Sequence, residues 1–120
     1  MAPLQTLLDI PYGAASGRLL SLDALRPESD SGAALPVVLW VHGGGWYSGN
    51  KRFVIQTHKL DFLVRSGFVL ASVEYRLSCE ATFPAQIHDV KAAIRWFRPQ
   101  REVLGIHPER VALAGFSAGG

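Results

Sequence analysis

The chain has a single cysteine, Cys79, among its 120 residues. One thiol closes no disulfide and builds no cysteine-based metal site, so a disulfide scaffold and a zinc module are both excluded. Charge is sparse as well: 18% of residues are Asp, Glu, Lys or Arg, and 12 basic residues against 10 acidic ones leave a formal net charge of +2. The calculated pI is near 9.0, but the basic residues form no stripe, so no nucleic-acid partner is expected. Long apolar runs are missing. The longest, Val37 to Val41, falls far short of the roughly 18 residues that span a bilayer, so no membrane partner is expected. Met1 to Pro11 lacks a basic n-region and is interrupted by Gln5 and Asp9. It does not read as a secretory signal, which makes the cytoplasm the expected compartment.

What the chain has is apolar content: 48% hydrophobic residues and a mean hydropathy of +0.15. That balance supports a packed core and excludes a disordered tail. A length of 120 residues allows at most one domain, and neither a repeat nor a linker divides it.

Gln5 to Ile10 and Arg18 to Ala24 mix apolar and polar residues around Tyr12-Gly13, which predicts an antiparallel pair of strands. Arg26 to Pro36, rich in Pro, Ser and Gly, reads as a loop. Val37 to Val41, Phe68 to Val73 and Val111 to Ala114 are apolar without polar alternation, Ser72 being the one polar residue among them. Strands without polar alternation are covered on both faces, which predicts a parallel sheet. Between them, Phe53, Gln56, Leu60, Leu63 and Val64 predict a helix over Phe53 to Arg65, stopped by Gly67. Ile87, Val90, Ile94 and Phe97 predict a second over Pro84 to Arg98, with Pro84 in its first turn and Pro99 ending it. The order strand, helix, strand, helix, strand is half of a doubly wound α/β sheet.

Two glycine clusters follow the first and third parallel strands, at the carboxyl ends where open α/β sheets bind ligands. The second, Gly115-Phe116-Ser117-Ala118-Gly119-Gly120, contains G-x-S-x-G. In a strand-to-helix elbow the serine is held in a strained conformation with its hydroxyl clear of the sheet, and the flanking positions must carry almost no side chain. Gly115 and Gly119 meet that need. The first cluster, His42-Gly43-Gly44-Gly45-Trp46, supplies the complement, because glycine lets backbone N–H groups approach a tetrahedral oxyanion. The oxyanion donors are assigned to Gly44, Gly45 and Ala118, with Gly43 setting the bend and His42 bracing the loop. G-x-S-x-G alone is a weak signal; joined to His-Gly-Gly-Gly, each after an apolar strand, it is specific.

These clusters, together with Tyr75-Arg76-Leu77-Ser78, Phe83 to Trp96 and Gly105 to Arg110, resemble α/β-hydrolase fold esterases of the hormone-sensitive-lipase-like and feruloyl- or acetyl-esterase-like branches. The resemblance covers about residues 36 to 120 and follows the family's order. It implies that Ser117 is the nucleophile of a serine carboxylic ester hydrolase acting on small or aryl esters through an acyl-enzyme, that residues 42 to 45 are the oxyanion loop, and that no cofactor is needed. Trp46 and Tyr47 are candidates for lining the substrate pocket. Amide hydrolysis by a formamidase-like relative and ligand binding without catalysis are the alternatives. His107 stands where relatives often have Asp, and Cys79 and Thr82 are atypical for the loop before the second helix.

A serine needs a base and an orienting carboxylate, which follow it in this fold in the order Ser, acid, His. Ser117 is three residues from the end. The triad is therefore expected to be incomplete, residues 1–120 to be the N-terminal half of one larger domain, and the chain alone to be inactive and poorly soluble. No upstream residue is expected to substitute. His58 and His88 fall in predicted helices, His107 precedes a proline in a predicted turn, and no pair has zinc-ligand spacing. Asp89 reads as a structural partner of the Tyr75-Arg76 segment, Glu74 as a strand-end carboxylate, Trp40 and Trp96 as packing, and Cys79 as an inert thiol.

Overall fold

The computed structural model describes residues 4–28, 34–100 and 105–120. Its first element is a hairpin of β1 (Leu4–Ala15) and β2 (Arg18–Pro27). The turn lies at Ser16-Gly17, not at Tyr12-Gly13 as expected. Ser16 and Gly17 have φ of 52° and 76°, and two successive positive values give the turn whose twist matches paired strands. Tyr12 lies inside β1, only 6% exposed, and its hydroxyl donates to the Glu74 carbonyl. The β1–β2 register shifts between Leu7 and Ile10, and Asp9, at φ 55°, occupies that irregularity.

β3 (Leu35–Val41), β4 (Val69–Val73) and β5 (Ile106–Gly115) complete a sheet ordered β1-β2-β4-β3-β5. β3 is parallel to both β4 and β5, whereas β2 meets β4 antiparallel. The apolar runs have the predicted cause: all five residues of β4 are buried between two layers. On one face Leu22, Leu39, Val73 and Phe97 pack together; on the other, Leu25, Val38, Val54, Val64 and Leu70 do so. Each such side chain contributes about 1.5–3 kcal/mol on burial.

The helix expected over Phe53 to Arg65 is two short pieces, α1 (Phe53–Gln56) and α2 (Asp61–Arg65). His58, at φ 59°, breaks the run between them. Val54 and Ile55 face the core, while Phe53 is 60% exposed. α3 (Ala85–Phe97) follows Pro84 and gives way to a 3₁₀ turn, Arg98–Gln100, that contains Pro99. Proline lacks the N–H that would continue the α ladder. Of the stretch that follows Pro99, Gln100 to Gly105, residues 101–104 lie outside the described residues.

Arg76, just beyond β4, ties that strand to α3. Its backbone N–H donates to Asp89 at 2.8 Å, and its Nε and Nη2 clasp the same carboxylate at 2.9 Å each. Asp89 is the structural partner its position predicted. Among the described residues no helix is long and apolar enough to cross a membrane.

Candidate active site

Val41 pairs with Gly115 at the carboxyl ends of β3 and β5. The chain leaves the sheet at these neighbouring points as His42 and Phe116, so the two glycine clusters meet above the same edge. Ser117 has φ 55°, a left-handed conformation that costs a non-glycine residue free energy and is held only by its surroundings. It opens a 3₁₀ turn through Ala118 to Gly119, closed by N–H bonds from Gly119 to the Phe116 carbonyl at 3.0 Å and from Gly120 to the Ser117 carbonyl at 2.9 Å. A Cβ on Gly115 would overlap the Gly119 carbonyl, and one on Gly119 the Val41 carbonyl. Both glycines of G-x-S-x-G are thus sterically required. Ser117 is exposed.

Gly43 serves close approach rather than the bend expected of it. A Cβ there would lie 2.8 Å from the Phe116 carbonyl and 3.4 Å from the Ser117 Cβ. The bend is made by Gly44, Gly45 and Trp46, with φ of 129°, 65° and 67°. The loop then folds onto itself: the Gly44 carbonyl accepts from the Ser48 N–H at 3.1 Å and the Ser48 hydroxyl at 3.0 Å.

His42 is 6% exposed. Its Nδ1 lies 2.8 Å from the Gly43 carbonyl, its ring stacks on Tyr75 with centroids 4.4 Å apart, and its carbonyl accepts the Tyr75 hydroxyl at 2.8 Å. Burial pushes the imidazole below its ordinary value and the Tyr75 hydroxyl above its own. A neutral ring with Nδ1–H donating to Gly43 satisfies that geometry. Among the described residues no side chain hydrogen-bonds the Ser117 hydroxyl.

A cavity of about 590 Å³ opens beside Ser117, walled by Trp40, His42, Gly43, Gly44, Phe53, Val54, Leu60 and Phe116, with Thr57 and Lys59 among its polar lining. Trp46 turns elsewhere. Its ring lies flat on Phe83, centroids 5.6 Å apart, beside a second cavity of about 330 Å³ shared with Tyr75, Gln86 and Leu113. Tyr47 is 69% exposed on the loop.

The remaining histidines lie away from this constellation. His58 is in the turn between α1 and α2, not in a helix, with Nδ1 3.0 Å from Asp61. His88 is exposed on α3. His107 belongs to β5 rather than to a turn, because that strand starts at Ile106; its Nδ1 accepts the Glu109 N–H at 3.3 Å. Glu74 accepts from the Ser21 N–H at 3.1 Å and pairs with Arg18 at 3.2 Å. Cys79 is exposed and free. Among the described residues no group of His, Cys, Asp and Glu could hold a metal ion.

Four residues outside the sequence expectations border the loop's exit. Asp23, fully buried on β2, accepts from Arg52 Nε at 3.1 Å and from the Asp9 N–H at 2.9 Å. The Asp9 carboxylate accepts from Lys51 and Arg52 at 2.8 Å each, and these bonds hold it below the usual carboxylate range. The signal available in the sequence was one acidic residue inside an apolar strand.

A parallel sheet with an antiparallel hairpin at its edge, and a strained serine turn packed on a glycine loop at the strand ends, define an α/β hydrolase. The sequence matches the BD-FAE family over residues 22–120, and the chain belongs to that family. It is 43% identical over 89 residues to carboxylesterase NlhH of Mycobacterium tuberculosis, covering 72% of this chain and 27% of that protein. It is 39% identical over 113 residues to esterase LipQ of the same organism, covering 92% and 26%. The solved hyperthermophilic esterase from Pyrobaculum calidifontis superposes with a TM-score of 0.83 at 32% identity, covering 98% of this chain and 37% of that one. The chain spans about a quarter of the length of these curated relatives.

Proposed function

We propose that the protein carrying this chain is a serine carboxylic ester hydrolase for small or aryl esters, with residues 1–120 forming the N-terminal part of one larger catalytic domain. The observation that carries this reading is Ser117, exposed at φ 55° on the elbow, with the Gly43 loop packed against it and the larger cavity alongside. The relatives named as esterases support an ester as the substrate class.

Ser117 Oγ attacks the ester carbonyl, and the N–H groups of Gly44, Gly45 and Ala118 receive the oxyanion, with His42 and Gly43 supporting the loop. Alcohol leaves, and water then attacks the acyl-enzyme. An oxyanion donor is worth roughly 10²–10³ in rate. The base and its carboxylate come from residues beyond this chain, so the 120 residues alone do not turn over ester.

The test is fluorophosphonate labelling and p-nitrophenyl acetate turnover by the protein from the complete reading frame. Label on Ser117, with both signals abolished in Ser117→Ala, is the expected result. A folded protein that is not labelled there defeats the reading.

A further inference from the structure

Asp23 is the one acidic side chain with zero exposure among the described residues, and it lies in a β2 segment otherwise built of Leu, Ala and Ser. Burying a carboxylate is costly unless cations and N–H groups surround it. Here they do, and both cations come from the segment that leaves the glycine loop. Arg52 Nε donates to Asp23 at 3.1 Å. Lys51, only 9% exposed, lies 3.8 Å from Asp23 and 2.8 Å from Asp9. Two carboxylates and two cations make the cluster neutral, and Asp23 is rooted in the sheet opposite Ser72 of β4.

The link to the loop is short. Asn50 Oδ1 accepts from the Arg52 and Phe53 N–H groups at 3.0 Å each, which fixes where the return segment ends. That segment supports the loop directly. A Cβ on Gly49 would overlap the Gly43 carbonyl and come within 2.7 Å of His42 Nδ1, and Ser48 bonds the Gly44 carbonyl through both its N–H and its hydroxyl. Any shift of residues 48–52 is therefore passed to Gly43 and Gly44.

We propose that Asp23 is a positioning residue: through Lys51 and Arg52 it sets the pose of the oxyanion loop relative to Ser117. It touches no substrate, and the proposal rests on the hydrolase reading of Ser117. The cluster anchors the loop's exit as Tyr75 anchors its entry at His42.

The test uses the protein from the complete reading frame. Asp23→Asn keeps volume and removes the charge; kcat for p-nitrophenyl acetate should fall about tenfold or more, because oxyanion donors act mainly in the transition state, while KM stays within about twofold. Asp23→Asn/Lys51→Met restores neutrality and with it much of the lost Tm, and kcat should remain low. A kcat that recovers with Tm makes Asp23 a stability residue only and overturns the proposal, as does full kcat in folded Asp23→Asn. If Asp23→Asn does not fold, the double variant alone decides by the same criterion. The backbone amide resonances of Gly43, Gly44 and Gly45 give a readout independent of turnover: they should shift in the double variant, and unchanged resonances sink the proposal. Wild type without Ser117-dependent turnover refutes the hydrolase reading instead, and the amide resonances still decide the role of Asp23.

Discussion

Gly43→Ala inserts one methyl group between the glycine loop and the nucleophile turn. The new Cβ would stand 2.8 Å from the Phe116 carbonyl and 3.4 Å from the Ser117 Cβ. The first distance is inside van der Waals contact and the obstacle is backbone, so the loop and the elbow must part by a few tenths of an ångström. Gly43 is not among the glycines at positive φ, which leaves sterics as the only penalty, about 1–3 kcal/mol for overpacking a tight site. The functional cost is set by geometry. Oxyanion donors act at about 2.7–3.1 Å, and a misplacement near 1 Å costs about 10² in rate. A separation of a few tenths of an ångström is therefore expected to lower kcat about tenfold. The control is Gly67→Ala, where φ is 102° but nothing lies within 4 Å of the added Cβ. Backbone strain alone there costs about 1–2 kcal/mol with kcat unchanged. Urea denaturation and p-nitrophenyl acetate kinetics on the protein from the complete reading frame separate the two. A Gly43→Ala enzyme with wild-type kcat, or a Gly67→Ala enzyme with an equal loss of kcat, refutes the steric argument.

Asp89→Asn should destabilise the fold by about 2–4 kcal/mol, because it breaks the clasp on Arg76 and leaves a cation whose side chain is 15% exposed; a urea midpoint equal to wild type contradicts this. Tyr75→Phe removes the bond to the His42 carbonyl at a cost of about 1 kcal/mol, and its stacking partner should then show faster hydrogen exchange at neighbouring loop amides; unchanged exchange counts against the anchor. His42 is held below its ordinary 6.5 by burial, so on acidification the unfolded chain takes up the proton first and stability rises with pH where the unfolded state binds more protons. That contribution is intact above about pH 6.5 and is lost as pH falls toward the folded value. Tm should fall more steeply on acidification in wild type than in His42→Gln, and parallel slopes exclude the buried imidazole as the cause.

β3 and β4 are readable as apolar runs because layers on both faces select against polar residues, with Ser72 the one polar side chain buried in β4. The hairpin turn is less readable. Tyr12-Gly13 and Ser16-Gly17 both end in glycine, but only the second pair takes positive φ at both residues, and the ring of Tyr12 is better accommodated inside the strand than at a turn. α3 shows the limit of apolar periodicity. Ile87 and Val90 line the open 330 Å³ cavity, while Gln86 and Asp89 take buried positions. They do so because each has a partner: Gln86 donates to the Ala81 carbonyl at 3.0 Å, and Asp89 holds Arg76. The bonds of Asp89 offset its desolvation, that of Gln86 does so only for its amide N–H since its Oε1 is buried without a partner, and a scan of apolar spacing contains no record of either.

The same division separates the readable part of the site from the rest. Ser117, Gly44, Gly45 and Gly115 stand out because their constraints are local, imposed by a tight turn on its own neighbourhood, whereas Gly43 answers to the Phe116 carbonyl and Gly119 to the Val41 carbonyl across the two strand ends. What holds the loop in place is long-range: Arg52 reaches Asp23 across 29 residues and Asp9 across 43, distances at which no motif spacing is preserved. Nor do consecutive glycines share one reason. Gly43 is needed for approach to the elbow at an ordinary φ, whereas Gly44, at φ 129°, must also avoid the Ser48 carbonyl. An alanine at Gly44 therefore meets both strain and overlap, and an alanine at Gly43 meets overlap alone. Gly44→Ala should accordingly be the more destabilising of the two, an order that urea midpoints can reverse.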